Sequence, residues 1–212
     1  MPFGCHEAYC RLGEMMNDKY RNFCKLSDAE LLNVDYRIRC RPGSVPVAIV
    51  APHGGKIEKG ASAIAEAIAG DTYALYCFEG MKPRNNGDLH ITSTHFNEPE
   101  CLELISTCDV VVTVHGCKGS DQTVKFGGLD DALRNAIREK LEDVGFATAI
   151  DPKMEGHSKD NICNRSQRGK GVQLEISKGL RKVLERADSA EGTGKLSALA
   201  TAVRSAIDET LA

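Results

Sequence analysis

Two apolar runs constrain this chain most. "VPVAIVA" at residues 45–51 carries no charge, "DVVVTV" at 109–114 carries one only at its first residue, and both run out near a His-Gly pair, His53-Gly54 and His115-Gly116. Uncharged β-branched runs of this length fit strands buried on both faces, the pattern of central strands in a sheet covered by helices on each side. The segments between them supply the helices. "GASAIAEAIAG" is an alanine-rich helix stopped at Gly70, in the manner of a C-terminal glycine cap. "NEPECLELISTC" starts a helix at Pro99 with acids behind it, which suits the first turn. "GGLDDALRNAIREKLEDVGF" repeats Leu133, Ile137, Leu141 and Val144 at helical spacing.

Further strands are expected at about 72–78, in "LHITSTHF", in "ATAID" and in "GVQLEIS", and a last helix at about 193–211. "LSDAELLNV" suggests a helix capped by Ser27 ahead of Asp28 and Glu30. This alternation predicts an α/β fold, a three-layer sandwich with a mainly parallel mixed sheet between helices. At 212 residues the chain fits one catalytic domain, residues 1–212, of which 1–40 is a partly irregular lead-in.

Composition narrows the partners. A formal charge of −3 with 27% charged residues gives no reason to expect nucleic acid or a membrane surface. No run approaches the ~20 apolar residues of a span, and the charged first 25 residues lack a signal-peptide core. The expectation is a soluble protein, cytoplasmic or released by cell lysis; the sequence specifies no oligomeric state. Nine cysteines is an odd number without a CxxC pair. Cys77, Cys101, Cys108 and Cys117 sit in or beside apolar runs and read as reduced core thiols, which favours a reducing compartment.

Reactive groups of an open α/β sheet collect at the carboxyl ends of its strands, where His53 and His115 stand. Glu58 follows His53 by five positions, and Gly54-Gly55 permits a tight turn that swings it back. Two histidines, a carboxylate and an open water position form a recurrent catalytic zinc set. Alternatively, Glu58 is a solvated acid favoured by a helix dipole. Glu175 interrupts the apolar strand "GVQLEIS"; it lies on a solvent face or faces a site, where a raised pKa would suit a general base. His90 and His95 share one segment, and one of them can approach the site, whereas His6 and His157 read as surface residues. Between Cys163 and Val183 six cations face one acid, net +5, and Arg165 after Asn164 is suited to gripping a carboxylate. "GGKIEKG" lacks the phosphate-loop pattern, and no GxSxG is present.

The segments "APHGGKIEKG", "LYCFEGMK", "LHITSTHFNEP", "VVTVHGCKG", "FGGLDDAL" and "NICNRSQRGKGVQLEISKGLR" together resemble the poly-γ-glutamate hydrolase family, from about Val47 to Leu184. The resemblance implies a zinc carboxypeptidase-like fold and one zinc ion per chain, held by His53, Glu58 and His115. It implies Glu175 as the base that takes a proton from zinc-bound water, with Asn164, Arg165 and Arg168 binding substrate carboxylates. The spacing from His53 to Glu58 departs from the carboxypeptidase H-x-x-E. The implied substrate is an anionic γ-glutamyl polymer, with small acyl-glutamates such as N-formylglutamate, or a non-catalytic phage-related binding protein, as the alternatives.

Overall fold

A computed structural model describes residues 18–150, 156–186 and 189–211. In chain order the elements are α1 (Phe23–Ser27), β1 (Tyr36–Arg41), β2 (Val47–Gly55), α2 (Ala61–Ala69), β3 (Ala74–Gly80), α3 (Pro99–Ser106), β4 (Val110–Cys117) and β5 (Thr123–Gly127). Then follow α4 (Asp131–Asp143), β6 (Ala147–Ile150), β7 (Val172–Ser177), α5 (Lys178–Leu184) and α6 (Ala190–Leu211). The strands form one sheet in the order β1-β3-β2-β4-β7-β5-β6. β3, β2, β4 and β7 run parallel, β1 and β5 join antiparallel, and β6 is parallel to β5.

The two apolar runs sit side by side inside this sheet, where a strand without charge can lose water on both faces. Val47, Ile49 and Ala51 pack with Val110, Val112 and Val114 under α2, α4, α5 and α6. Ala48, Val50 and Val111 point the other way, against Phe23 of α1, Cys101 and Ile105 of α3, and Leu89, Ile91 and Phe96. Burying a valine or isoleucine fully is worth about 1.5–3 kcal/mol, so alternation along β2 and β4 holds both layers. The expected sandwich is therefore present, with one layer wholly helical and the other partly irregular.

Four local expectations change. "LHITSTHF" is not a strand: Asn86–Leu89 is a 3-10 turn, and residues 90–96 are irregular. Their polar groups are satisfied by other segments, as where Asp18 accepts from the amide and hydroxyl of Thr92 at 2.7 Å. Ser27 ends α1 instead of capping a helix, and Asn22 is the cap, accepting from the Lys25 amide at 3.1 Å. Val144 terminates α4 and is exposed. β1 and β5 are strands that periodicity did not single out: β1, at the sheet edge, alternates with three arginines, and β5 is five residues long with a lysine at its centre. Cys77, Cys101, Cys108 and Cys117 are buried free thiols, whereas Cys24 is disulfide-bonded, an exception to the reduced set. His6 lies outside the described residues.

Candidate metal centre

β2 reaches the site through an irregularity. Its register with β3 shifts between Ala51 and Gly54, where Pro52 has no amide to offer the ladder. Gly55 then takes φ 61°, and a Cβ there would stand 2.6 Å from the Gly80 carbonyl oxygen. The chain folds back so that the Glu58 amide donates to the His53 carbonyl at 2.9 Å. That bond closes the five-residue return, and Glu58 Oε2 accepts from the Gly116 amide at 2.7 Å. The short loop after β2 is thereby pinned to the end of β4.

His53 is buried, and its Nε2 donates to the Ile91 carbonyl at 2.8 Å. A carbonyl only accepts, so Nε2 carries a proton and Nδ1 is the nitrogen turned toward Glu58. His53 Nδ1 lies 3.4 Å from Glu58 Oε1 and 3.1 Å from His115 Nδ1, which is 4.0 Å from Glu58 Oε2. His115 is buried too, with Nε2 at 3.4 Å from Ser93 Oγ. Donors bound to one tetrahedral zinc at ~2.0–2.1 Å are about 3.3–3.4 Å from each other. Two imidazole nitrogens facing a carboxylate at these separations are a donor set suited to zinc, because a cation between them relieves the lone-pair repulsion.

The electrostatics agree with that geometry. Burial opposes ionisation of Glu58, but the charge and hydrogen bond of His53, then His115 and the Gly116 amide, outweigh it and hold the carboxyl at about 2. Burial also disfavours charge on His53, yet Glu58 overrides it and raises this imidazole. His115 is pushed down to about 3 by burial and by the charge of His53. One carboxylate therefore supports one charge among stacked rings.

Glu175 sits beside His115 on β7, its partner in the parallel register, and accepts from Gln173 Nε2 at 3.0 Å. Burial and the neighbouring charge of Glu58 raise it to about 7, while His53, Arg181 and Gln173 restrain the shift. Of the two alternatives open in the sequence, Glu175 takes the one that faces the cluster.

The cations divide differently from the expectation. Asn164 is buried and saturated: Oδ1 accepts from the amides of Leu129 and Gly171, and Nδ2 donates to the carbonyls of Gly156 and Ser158. It has no group left for a substrate carboxylate, so its role is to join loops. Arg168 lies 3.6 Å and Lys170 3.1 Å from the buried Asp130, the cap of α4. Arg181, counted in the basic run, is buried and donates to the carbonyls of Ile176, Lys59 and Cys117. Arg165 remains half-buried, its Nη1 at 3.5 Å from the carbonyl of Phe96, whose ring packs against His53. His90, only loosely anticipated, stacks on His53 with ring centroids 4.0 Å apart. Its fixing partner, Asp18, is 72 positions upstream, a contact no local pattern reveals.

A cluster of imidazoles and carboxylates at the carboxyl ends of a central parallel sheet, with an ionisable acid alongside, defines a hydrolase of the zinc carboxypeptidase-like class. The chain belongs to the poly-gamma-glutamate hydrolase family, whose profile matches residues 20–201. It is similar to UPF0714 protein YndL of Bacillus subtilis (strain 168), with 38% identity over 170 residues, 79% of this chain and 67% of YndL. Among solved structures it is similar to a bacteriophage poly-gamma-glutamate hydrolase, with TM-score 0.85 and 32% identity over 92% of this chain and 98% of that one. A zinc-free structure of YndL also matches, with TM-score 0.85 and 32% identity over 92% of this chain and all of that one.

Proposed function

We propose that this chain hydrolyses γ-glutamyl amide bonds, with poly-γ-glutamate as substrate, using one zinc ion held by His53, Glu58 and His115. The observation that carries the proposal is the convergence of the His53 and His115 Nδ1 atoms, 3.1 Å apart, on the Glu58 carboxylate, with Glu175 beside them. Support for zinc comes also from the zinc-free description of the YndL structure, and support for the polymer from the bacteriophage hydrolase. Zinc in such a site supplies Lewis acidity, acidifying water and polarising an amide carbonyl.

The chain's own residues supply the rest. Nε2 of His53, tied to Ile91, and the Gly116 amide, tied to Glu58, hold the donors in place without substrate. Glu175, with its pKa near 7, accepts a proton from the attacking water and returns it to the departing amine. Poly-γ-glutamate carries a free carboxylate on every residue, and Arg165 is the cation we assign to one of them, because its half-buried guanidinium borders the Phe96 wall beside His53, whereas Asp130 engages Arg168.

Incubation of the protein with γ-polyglutamate, with and without added zinc, and analysis of polymer size on a gel tests this reading. Zinc-dependent shortening is the expected outcome. Intact polymer at full zinc occupancy would remove the substrate assignment, and cleavage of N-formylglutamate under the same conditions would replace it.

A further inference from the structure

Gln173 and Glu175 share one face of β7, in a column beside Thr113 and His115 of β4. Glu175 borders the metal centre, whereas Gln173, one rung earlier, is 6% exposed. A buried primary amide inside a sheet is costly unless both its ends are hydrogen-bonded. Both are: Gln173 Nε2 lies 3.0 Å from Glu175 Oε1, and Gln173 Oε1 lies 2.9 Å from Asn161 Nδ2. The direction of donation along this chain follows from its far end. The Cys163 amide can only donate, so the Asn161 atom 3.1 Å from it is the oxygen Oδ1. Asn161 therefore turns Nδ2 toward Gln173, whose oxygen accepts, and Gln173 has only N–H groups left for Glu175. Asn161 is itself buried and held by the loop that Asn164 joins: Asn164 Nδ2 donates to the Gly156 and Ser158 carbonyls, and the Asn161 amide donates to Ser158 as well. Gly156 covers the pair, since a Cβ there would stand 3.3 Å from Asn161 Nδ2 and 3.4 Å from Gln173 Oε1.

We propose that Gln173, oriented by Asn161, is a positioning residue for hydrolysis: it holds Oε1 of Glu175 with an N–H donor and so reserves Oε2 for the proton taken from water. The proposal rests on the hydrolase reading given above. A donor on Oε1 excludes a proton from that oxygen, because two hydrogens would then face each other. The proton lost by the attacking water is therefore bonded to Oε2, its bond to the water oxygen breaking as the new one forms. The same Oε2–H bond breaks when the departing amine takes the proton, which returns Glu175 to its starting state. Tethering one oxygen also keeps the carboxylate from rotating away from the reacting atoms, and proton transfer depends on that reach. A directed chain of two buried amides that ends on the acid beside the metal donors is more than the filling of β7 requires.

The test compares the parent with Gln173→Met and Asn161→Asp, each at full zinc occupancy, on γ-polyglutamate. Methionine keeps the length and removes the donor. Aspartate keeps the shape and the bond from Cys163, but as a carboxylate it only accepts, which turns the Gln173 amide over and points its oxygen at Glu175. Each variant is expected to lower kcat about 10- to 100-fold, the range for residues that orient a site's side chains from outside it, with KM and zinc content like the parent's. In a Glu175→Asp background the shorter carboxylate is out of reach of Gln173, so Gln173→Met should cost less than about twofold there. Parent-like kcat in both variants overturns the assignment. So does an equal loss in the Glu175→Asp background, which would show that Gln173 acts other than through Glu175, and so does a loss confined to KM or zinc content. If a variant fails to fold, the 15N-labelled parent decides: slow exchange of the Gln173 side-chain N–H protons with water is expected, and exchange at the rate of an exposed glutamine overturns the proposal. A parent that leaves the polymer intact at full zinc occupancy overturns the hydrolase reading and this inference with it.

Discussion

His53 and His115 each turn Nε2 toward a protein oxygen and Nδ1 toward the same carboxylate, and this pairing generates the strongest residue-scale expectations. His53→Ala removes one of the facing nitrogens, and the purified variant is expected to lose its zinc by elemental analysis; parent-like zinc content would remove His53 from the site. Glu175→Gln keeps the donors but cannot accept a proton, so we expect full zinc content with turnover reduced about 100- to 10,000-fold. The same variant has a signature in the metal-free protein. Glu175 has a folded pKa of about 7, above its unfolded value, so between ~4.5 and 7 the native state holds a proton that the unfolded chain releases. Its contribution to stability is therefore present at low pH and lost as pH rises through that window, by roughly 3 kcal/mol. Glu58 and His115, whose folded values are depressed, act in the opposite sense. Urea melts of parent and Glu175→Gln isolate the term: the parent's advantage should fall from pH 4.5 to 7, and parallel pH profiles would refute it. Arg165→Ala should raise KM for the polymer more than it lowers kcat.

The turn between β2 and α2 shows how an element aims side chains. Gly55 occupies the left-handed region and its missing Cβ leaves room for the Gly80 carbonyl, so Gly55→Ala strains the backbone and crowds β3 together. We expect a loss of about 2 kcal/mol or more, seen as a melting temperature lower by about 4–8 °C, along with weaker zinc binding because Glu58 depends on the same turn. The strand–turn–helix order was legible here, since an uncharged run, two glycines and an alanine-rich helix each follow local rules. The segment 90–96 was not. Its alternation mimics a strand, yet its groups are taken by Asp18, His53 and His115, residues distant in sequence. Asn164 is a comparable case: its position beside Arg165 suggested a substrate grip, but four backbone partners from other loops consume its amide.

Across the whole molecule, the hydrophobic layers above and below the sheet extend well beyond the metal centre, which they touch at only a few residues such as Ile91 and Phe96, so the fold should outlast the metal. Removing zinc with a chelator is expected to abolish hydrolysis and leave the circular dichroism spectrum in place. Restoring zinc to about 1,000 times its dissociation constant should add about 4 kcal/mol to stability, visible as a concentration-dependent rise in melting temperature. Collapse of the spectrum on chelation would show that the ion is structural. Among the described residues, no helix is long and apolar enough to cross a membrane. By itself, the sequence determined the strand–helix alternation, the buried central strands, and the placement of His53, His115 and Glu175 at or near their carboxyl ends, because periodicity and strand polarity are local properties of the chain. Only the tertiary structure decided that Glu58 returns to His53, that His90 is backed by Asp18, and that Arg168 and Arg181 are occupied elsewhere. The physical reason is that the hydrogen bonds and charges fixing those side chains come from segments far along the chain, brought together only when the sheet assembles.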